Sequence, residues 1–216
     1  YVAPNTETKG RPFYNAAAWC EGGNVKQTAH KCLLPTYDVF DEDRYFESSG
    51  KPQIITYKGL KLGITICEDI WTSCSIDTGK RYNQDPVEQL ASEKIDILLN
   101  LSSSPWHNGK SNVRESLVKV AAERCGCPVF YCNAIGGNDE LIFDGNSMIL
   151  DPNGRVLSEG EYFIEDLVIT DLNVRSLQEP STRDPRKLQS YAEKEHAIHV
   201  SHYVRKPSKP FIPEKL

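Results

Sequence analysis

A mixed α/β domain is predicted by three features of this 216-residue chain. Two strand pairs with glycine turns fill its first third. Helical and apolar segments then alternate, and a charged, Pro- and His-rich stretch follows from Arg175 to Leu216. With 39% hydrophobic and 25% charged residues, the chain is long enough for one globular domain with a true core.

Tyr1 to Pro12 is polar and turn-rich and is given no element. Phe13 to Cys20 reads as a strand, and Glu21-Gly22-Gly23-Asn24 turns it back into Val25 to His30. Lys31 follows at once, and Leu33-Leu34-Pro35 leads into the loop Thr36 to Glu42. A second hairpin joins Gln53–Tyr57 to Leu60–Cys67 through Lys58-Gly59. Leu62, Ile64 and Ile66 alternate with small or polar residues, which predicts a half-buried strand delivering Cys67 to a sheet edge.

Pro86 to Lys94 is helix-like, with proline in the first turn. Ile95 to Leu101 is an apolar run predicted as a strand buried on both faces. Ser111 or Asn112 is expected to cap a helix running to Arg124, with Glu115 three residues after Asn112 as its capping-box partner. Pro128 to Asn133 is the next strand. Leu141 to Asp171 supplies more strands, turning at Asp151-Pro152-Asn153-Gly154 and Glu159-Gly160.

Seven cysteines without disulfide-framework spacing imply a reducing, cytoplasmic setting. Cys32, Cys74 and Cys132 are expected as small core residues. Cys125-Gly126-Cys127 lacks a zinc-site partner pair. His196, His199 and His202 have no carboxylate to orient them, so no metal is assigned. A net charge of −5 at pH 7 argues against a nucleic-acid backbone as partner. No apolar run of about 18 residues predicts a membrane span, and no secretory signal opens the chain. By itself Cys67 reads as a buried structural thiol or as a nucleophile leaving a strand, and the acidic pair Glu68-Asp69 favours the second.

The motifs Lys31, Leu34 to Glu42, Ile66-Cys67-Glu68-Asp69-Ile70-Trp71 and Asn100 to Pro105 resemble the nitrilase (carbon-nitrogen hydrolase) superfamily. The stretch Asn133 to Ser147 resembles, more narrowly, the glutaminase domains of glutamine-dependent NAD synthetases. The resemblance runs from about Phe13 to Asn173 and implies a four-layer α-β-β-α sandwich, with residues 1–174 as the amidohydrolase domain and 175–216 as a tail or linker. It implies a Glu-Lys-Cys triad in which Cys67 is the nucleophile and Lys31 the lysine, with the Glu68 backbone N–H as an oxyanion donor. It places Tyr37, Phe40 and Glu42 in the substrate pocket, Glu42 and Glu68 at the α-amino group of glutamine, and Ser104 at its α-carboxylate. Lys110 stands where many members carry arginine, so a point charge replaces a bidentate clamp. Read alone, Tyr37 and Phe40 would be core aromatics and Lys110 a solvated lysine.

Two departures accompany these matches. The family's glutamate base lies upstream of the Phe13 hairpin in a Pro-Glu motif, and none of Glu7, Glu21 or Glu47 sits in one. The sandwich is therefore expected to be incomplete at its N-terminus, and a chain of only these residues to be inactive and poorly stable. No Ser-Gly-Gly-x-Asp-Ser phosphate loop occurs, so ATP and Mg are expected only in a synthetase domain outside this chain. Three activities are compatible: a glutaminase domain of an NAD synthetase, a stand-alone amidase or carbamoylase, and a non-catalytic fragment or interaction module. The implied partners are glutamine or another small amide, a synthetase domain and further copies of the chain.

Overall fold

The computed structural model describes residues 1–7, 9–71 and 82–173, together with the backbone of 202–203. Its centre is a six-stranded sheet in the order β11-β10-β7-β6-β5-β4. The strands are β4 (Gln53–Tyr57), β5 (Leu60–Ile66), β6 (Ile97–Ser102), β7 (Val129–Asn133), β10 (Met148–Leu150) and β11 (Val156–Glu159). β5, β6 and β7 are parallel and the flanking strands antiparallel. A three-stranded sheet is built from β1 (Val2–Pro4), β2 (Phe13–Glu21) and β3 (Asn24–His30). β8 (Ile135–Asn138) and β9 (Leu141–Asp144) form a separate hairpin, and β12 (Leu167–Val168) pairs with β13 (His202–Tyr203).

Two apolar clusters hold the layers together. On one face of the central sheet, Leu98, Val129 and Met148 pack under helices α1 (Pro86–Ser92) and α2 (Lys110–Cys125). On the other face, Ile55, Leu62 and Ile64 meet Ala29, with Ala17 and Trp19 packed against the cluster from the three-stranded sheet. Burying each large aliphatic side chain contributes roughly 1.5–3 kcal/mol. The order is α-β-β, so three layers of the expected sandwich stand among the described residues.

Both predicted hairpins form, the second turning on two left-handed residues, Lys58 at φ 48 and Gly59 at φ 81. β5 departs from the expected half-buried strand. It lies between β4 and β6 rather than at an edge, and Gly63 and Thr65 are buried as well as Leu62, Ile64 and Ile66. Gly63 faces Leu90 of α1, and a Cβ on it would stand 2.6 Å from Ile95 Cδ1, while Thr65 Oγ1 bonds Leu99 O at 3.1 Å in β6. Gly63 marks close helix packing, not solvent.

Other differences have equally local causes. The Ile95–Leu101 run becomes Ile97–Ser102 and alternates in burial, with Leu101 46% exposed at the rim of a cleft. α2 begins at Lys110, before the expected caps Ser111 and Asn112, and no side chain caps it. Gly109 enters at φ 83, a left-handed conformation that suits glycine, and Lys110 N–H bonds His107 O at 3.1 Å. α1 starts as predicted, its Asp85 side chain accepting from Glu88 N–H at 3.0 Å. Cys32 is a core residue, but Cys132 is exposed because alternation along β7 turns it away from the buried side. Val2–Pro4 and Ile135–Asn138 are strands that were not predicted. Cys74, His196, His199 and the tail beyond Val174, apart from the β13 backbone, lie outside the described residues.

Candidate active site

β5 ends at Ile66, and the next four residues, Cys67–Ile70, turn as a single 3-10 coil. Cys67 opens it at φ 46, a left-handed backbone that costs a non-glycine residue roughly 1–2 kcal/mol. The strain turns the thiol away from the strand's pleat into a cleft of about 560 Å³. Cys67, Lys31, Tyr37, Phe40, Glu42, Glu68, Ser104 and Lys110, all singled out from sequence, line this one cleft.

Lys31 is 1% exposed. It follows β3 directly, and its ammonium donates to Glu42 Oε1 at 2.6 Å. Glu42 also accepts the Asn15 side-chain N–H at 3.3 Å, which fixes the carboxylate between β2 and the lysine. A buried ammonium is tolerated because it is paired and hydrogen-bonded. Glu68 is likewise buried, and its carboxylate accepts the Tyr37 hydroxyl at 2.8 Å and the Tyr82 hydroxyl at 2.7 Å. Tyr37 packs edge-on against Phe40, with centroids 5.9 Å apart.

Burial pushes the Cys67 thiol above its ordinary value. The Lys31 ammonium and a backbone hydrogen bond from Ser103 pull the other way, while Glu68 and Glu42 add to the rise. The balance favours the thiol over the thiolate, which grows as pH rises. Alkylation of Cys67 by iodoacetamide, followed peptide by peptide in mass spectra, is expected to climb at higher pH than that of exposed Cys20. Coincident profiles would contradict this.

Ser104, two residues past the end of β6, also lines the cleft, and its side chain is buried. Its N–H donates to Asn133 Oδ1 at 2.9 Å. Behind it, Arg114 of α2 makes two bonds to Asp144, at 2.8 and 3.0 Å, with both side chains fully buried. Lys110, one helical turn before Arg114, holds its ammonium 5.5 Å from the centroid of the Trp71 ring.

Tyr82 and Asp69 are contacts of the cleft residues to which sequence reading gave no role. No local pattern marks Tyr82. Asp69 lay within the motif but was given no role, although its carboxylate takes three backbone bonds, described below. Among the described residues no group of three or more His, Cys, Asp or Glu could hold a metal ion. Gly22-Gly23 is a hairpin turn and Gly136-Gly137 lies within β8, so neither pair opens a helix as a phosphate loop does. No described helix is long and apolar enough to cross a membrane.

Comparison with known proteins bears on the family and the fold. The carbon-nitrogen hydrolase family profile matches residues 2–180. A glutamine-dependent NAD(+) synthetase of Synechocystis sp. is 43% identical over 166 residues, covering 77% of this chain and 30% of that protein. The corresponding synthetase of Thermotoga maritima is 38% identical over 178 residues, covering 81% and 29%. The solved glutamine-dependent NAD+ synthetase of Acinetobacter baumannii, in complex with ADP, superposes with a TM-score of 0.70 at 35% identity, covering 82% of this chain and 31% of that one. A CN-hydrolase superfamily protein of Xanthomonas campestris shares the fold, with a TM-score of 0.62 at 19% identity, covering 87% and 67%. The chain thus spans about a third of the length of the synthetases it matches. With its fold, its cleft and its sequence all pointing one way, the chain belongs to the carbon-nitrogen hydrolase family of enzymes.

Proposed function

We propose that this chain is the glutamine amidohydrolase part of a glutamine-dependent NAD synthetase, releasing ammonia for amidation of deamido-NAD. The observation that carries the reading is Cys67 on a left-handed turn, in one cleft with a buried Lys31 and a tyrosine-held Glu68. The Cys67 thiolate attacks the side-chain carboxamide carbon. Lys31 and the Glu68 backbone N–H hold the developing oxyanion, such donors being worth ~2.7–4 kcal/mol each. Breaking the C–N bond expels ammonia and leaves a thioester, which water hydrolyses to glutamate and free thiol. The base that takes the thiol proton is, on the family pattern, a glutamate in a Pro-Glu motif upstream of the Phe13 hairpin.

Substrate selection follows from the two walls. Glu68, with Glu42 behind it, meets the α-ammonium, while Ser104 Oγ and Lys110 meet the α-carboxylate, and Tyr37 and Phe40 bound the aliphatic stem. Residues 1–174 form the amidohydrolase domain, and 175–216 lead towards a synthetase domain that would carry ATP and Mg. Assembly into a homo-oligomer and a cytoplasmic setting complete the proposal.

The test is covalent labelling of Cys67 by a diazoketone analogue of glutamine, read by peptide mass. Labelling blocked by L-glutamine, and not by L-asparagine or by glutaramate lacking the α-amino group, is expected. Equal protection by unrelated amides or carbamoyl compounds would favour a stand-alone amidase instead. Tyr82→Phe removes one of the two phenols on Glu68. Because that bond is present without substrate, its loss is expected to show as a lower urea midpoint, ~1.5 kcal/mol of stability, as suits a hydrogen bond to a charged group.

A further inference from the structure

Asp69 is 1% exposed, and its carboxylate gathers three backbone donors from two distant segments. Oδ2 accepts Ile66 N–H at 2.9 Å, and Oδ1 accepts Cys32 N–H at 3.0 Å and Leu33 N–H at 2.8 Å. Ile66 is the residue before Cys67, and Cys32 is the residue after Lys31. One buried side chain thus joins the turn that presents the thiol to the strand end that presents the ammonium.

The backbone around Asp69 explains why such a joint is needed. Cys67 holds a strained left-handed conformation, which persists only where its surroundings over-determine it. Lys31 reaches the cleft from the three-stranded sheet and Cys67 from the central sheet, so their spacing depends on how the two sheets are fastened. Packing between the sheets at Ala29 and Leu62 sets the layer distance. It does not fix the register of two chain ends beyond the last residues of their strands. A carboxylate accepting three N–H groups does.

We infer that Asp69 is a positioning residue that sets the Cys67–Lys31 geometry, and through it the availability of the thiolate. The inference rests on reading Cys67 and Lys31 as nucleophile and partner cation, and not on glutamine as substrate. Asp69→Asn presents an NH2 group to a site built only of N–H donors, so the staple opens while size is kept.

The experiment is the pH profile of Cys67 alkylation in the full chain, read peptide by peptide, for the wild type, Asp69→Asn, Lys31→Met and the double variant. Lys31→Met and Asp69→Asn are each expected to raise the apparent thiol pKa by about one unit, or about tenfold less thiolate near neutral pH. The double variant is expected to match Lys31→Met alone, because a residue that acts through Lys31 has nothing left to position. Asp96, whose Oδ2 accepts Lys61 N–H at 2.8 Å far from the thiol, is the control. Asp96→Asn is expected to lower the urea midpoint without moving the Cys67 profile. A wild-type profile in folded Asp69→Asn, or additive shifts in the double variant, would overturn the inference. Should Asp69→Asn not fold, Asp69→Glu keeps the charge and displaces the oxygens by one methylene, and an unmoved profile there overturns it equally. An unmoved profile in Lys31→Met would instead sink the underlying reading of the site.

Discussion

In the protein that carries the upstream glutamate, Cys67→Ala is expected to abolish measurable amide turnover and diazoketone labelling while leaving the fold intact. Where a nucleophile and its partners act as one unit, loss of the nucleophile alone removes ~10⁶-fold in rate. The remaining cleft still has Glu68, Tyr37, Ser104 and Lys110 in place, so glutamine binding by calorimetry should survive. The variant also keeps the backbone strain, since alanine at φ 46 retains the Cβ that causes it. A denaturation midpoint close to that of the parent chain is therefore the companion result. Ammonia release persisting in purified Cys67→Ala would exclude the cysteine mechanism.

Asp144→Ala is expected to produce the largest loss of stability. Arg114 and Asp144 are 1% and 0% exposed and share two short bonds. Removing the carboxylate leaves a guanidinium buried without its counter-charge, a situation that costs ~3–5 kcal/mol. The pair also supports the cleft wall, because Arg114 Nη2 reaches Ser104 O at 3.5 Å and Asn133 Nδ2 reaches Asp144 at 3.4 Å. Urea unfolding should show the shift in midpoint. An Arg114→Leu/Asp144→Leu double variant should recover most of it, since removing both charges avoids the orphan. A double variant as unstable as Asp144→Ala would show that packing, not charge burial, dominates there.

The parts of the fold that could be read in advance are those with local causes. The β4–β5 turn at Lys58-Gly59 and the proline in the first turn of α1 are specified by backbone preferences of the residues themselves. The start of α2 was misplaced because Ser111 and Asn112 are good caps in isolation, yet Gly109 had already taken the chain into the helix. Gly63 looked like a small residue on a solvent face, and only the approach of Leu90 and Ile95 shows otherwise. For the site, the motif residues were legible one by one. Their electrostatic partners were not, because Tyr82 and Asp69 act across long sequence separations with geometry that no spacing rule encodes. That Glu42 would be held by Lys31 was equally invisible in the one-dimensional pattern.

The left-handed turn at Cys67 sets this position apart from β5, which ends one residue earlier. Selection for stability alone would place glycine here, gaining on the order of 1 kcal/mol from released strain. The chain instead carries a side chain in a left-handed backbone conformation, with the residue before it fastened by a neighbour two residues on. Stabilising substitutions sought by energy alone would drift towards repairing that turn. Such a repair would leave a sturdier protein with an empty cleft.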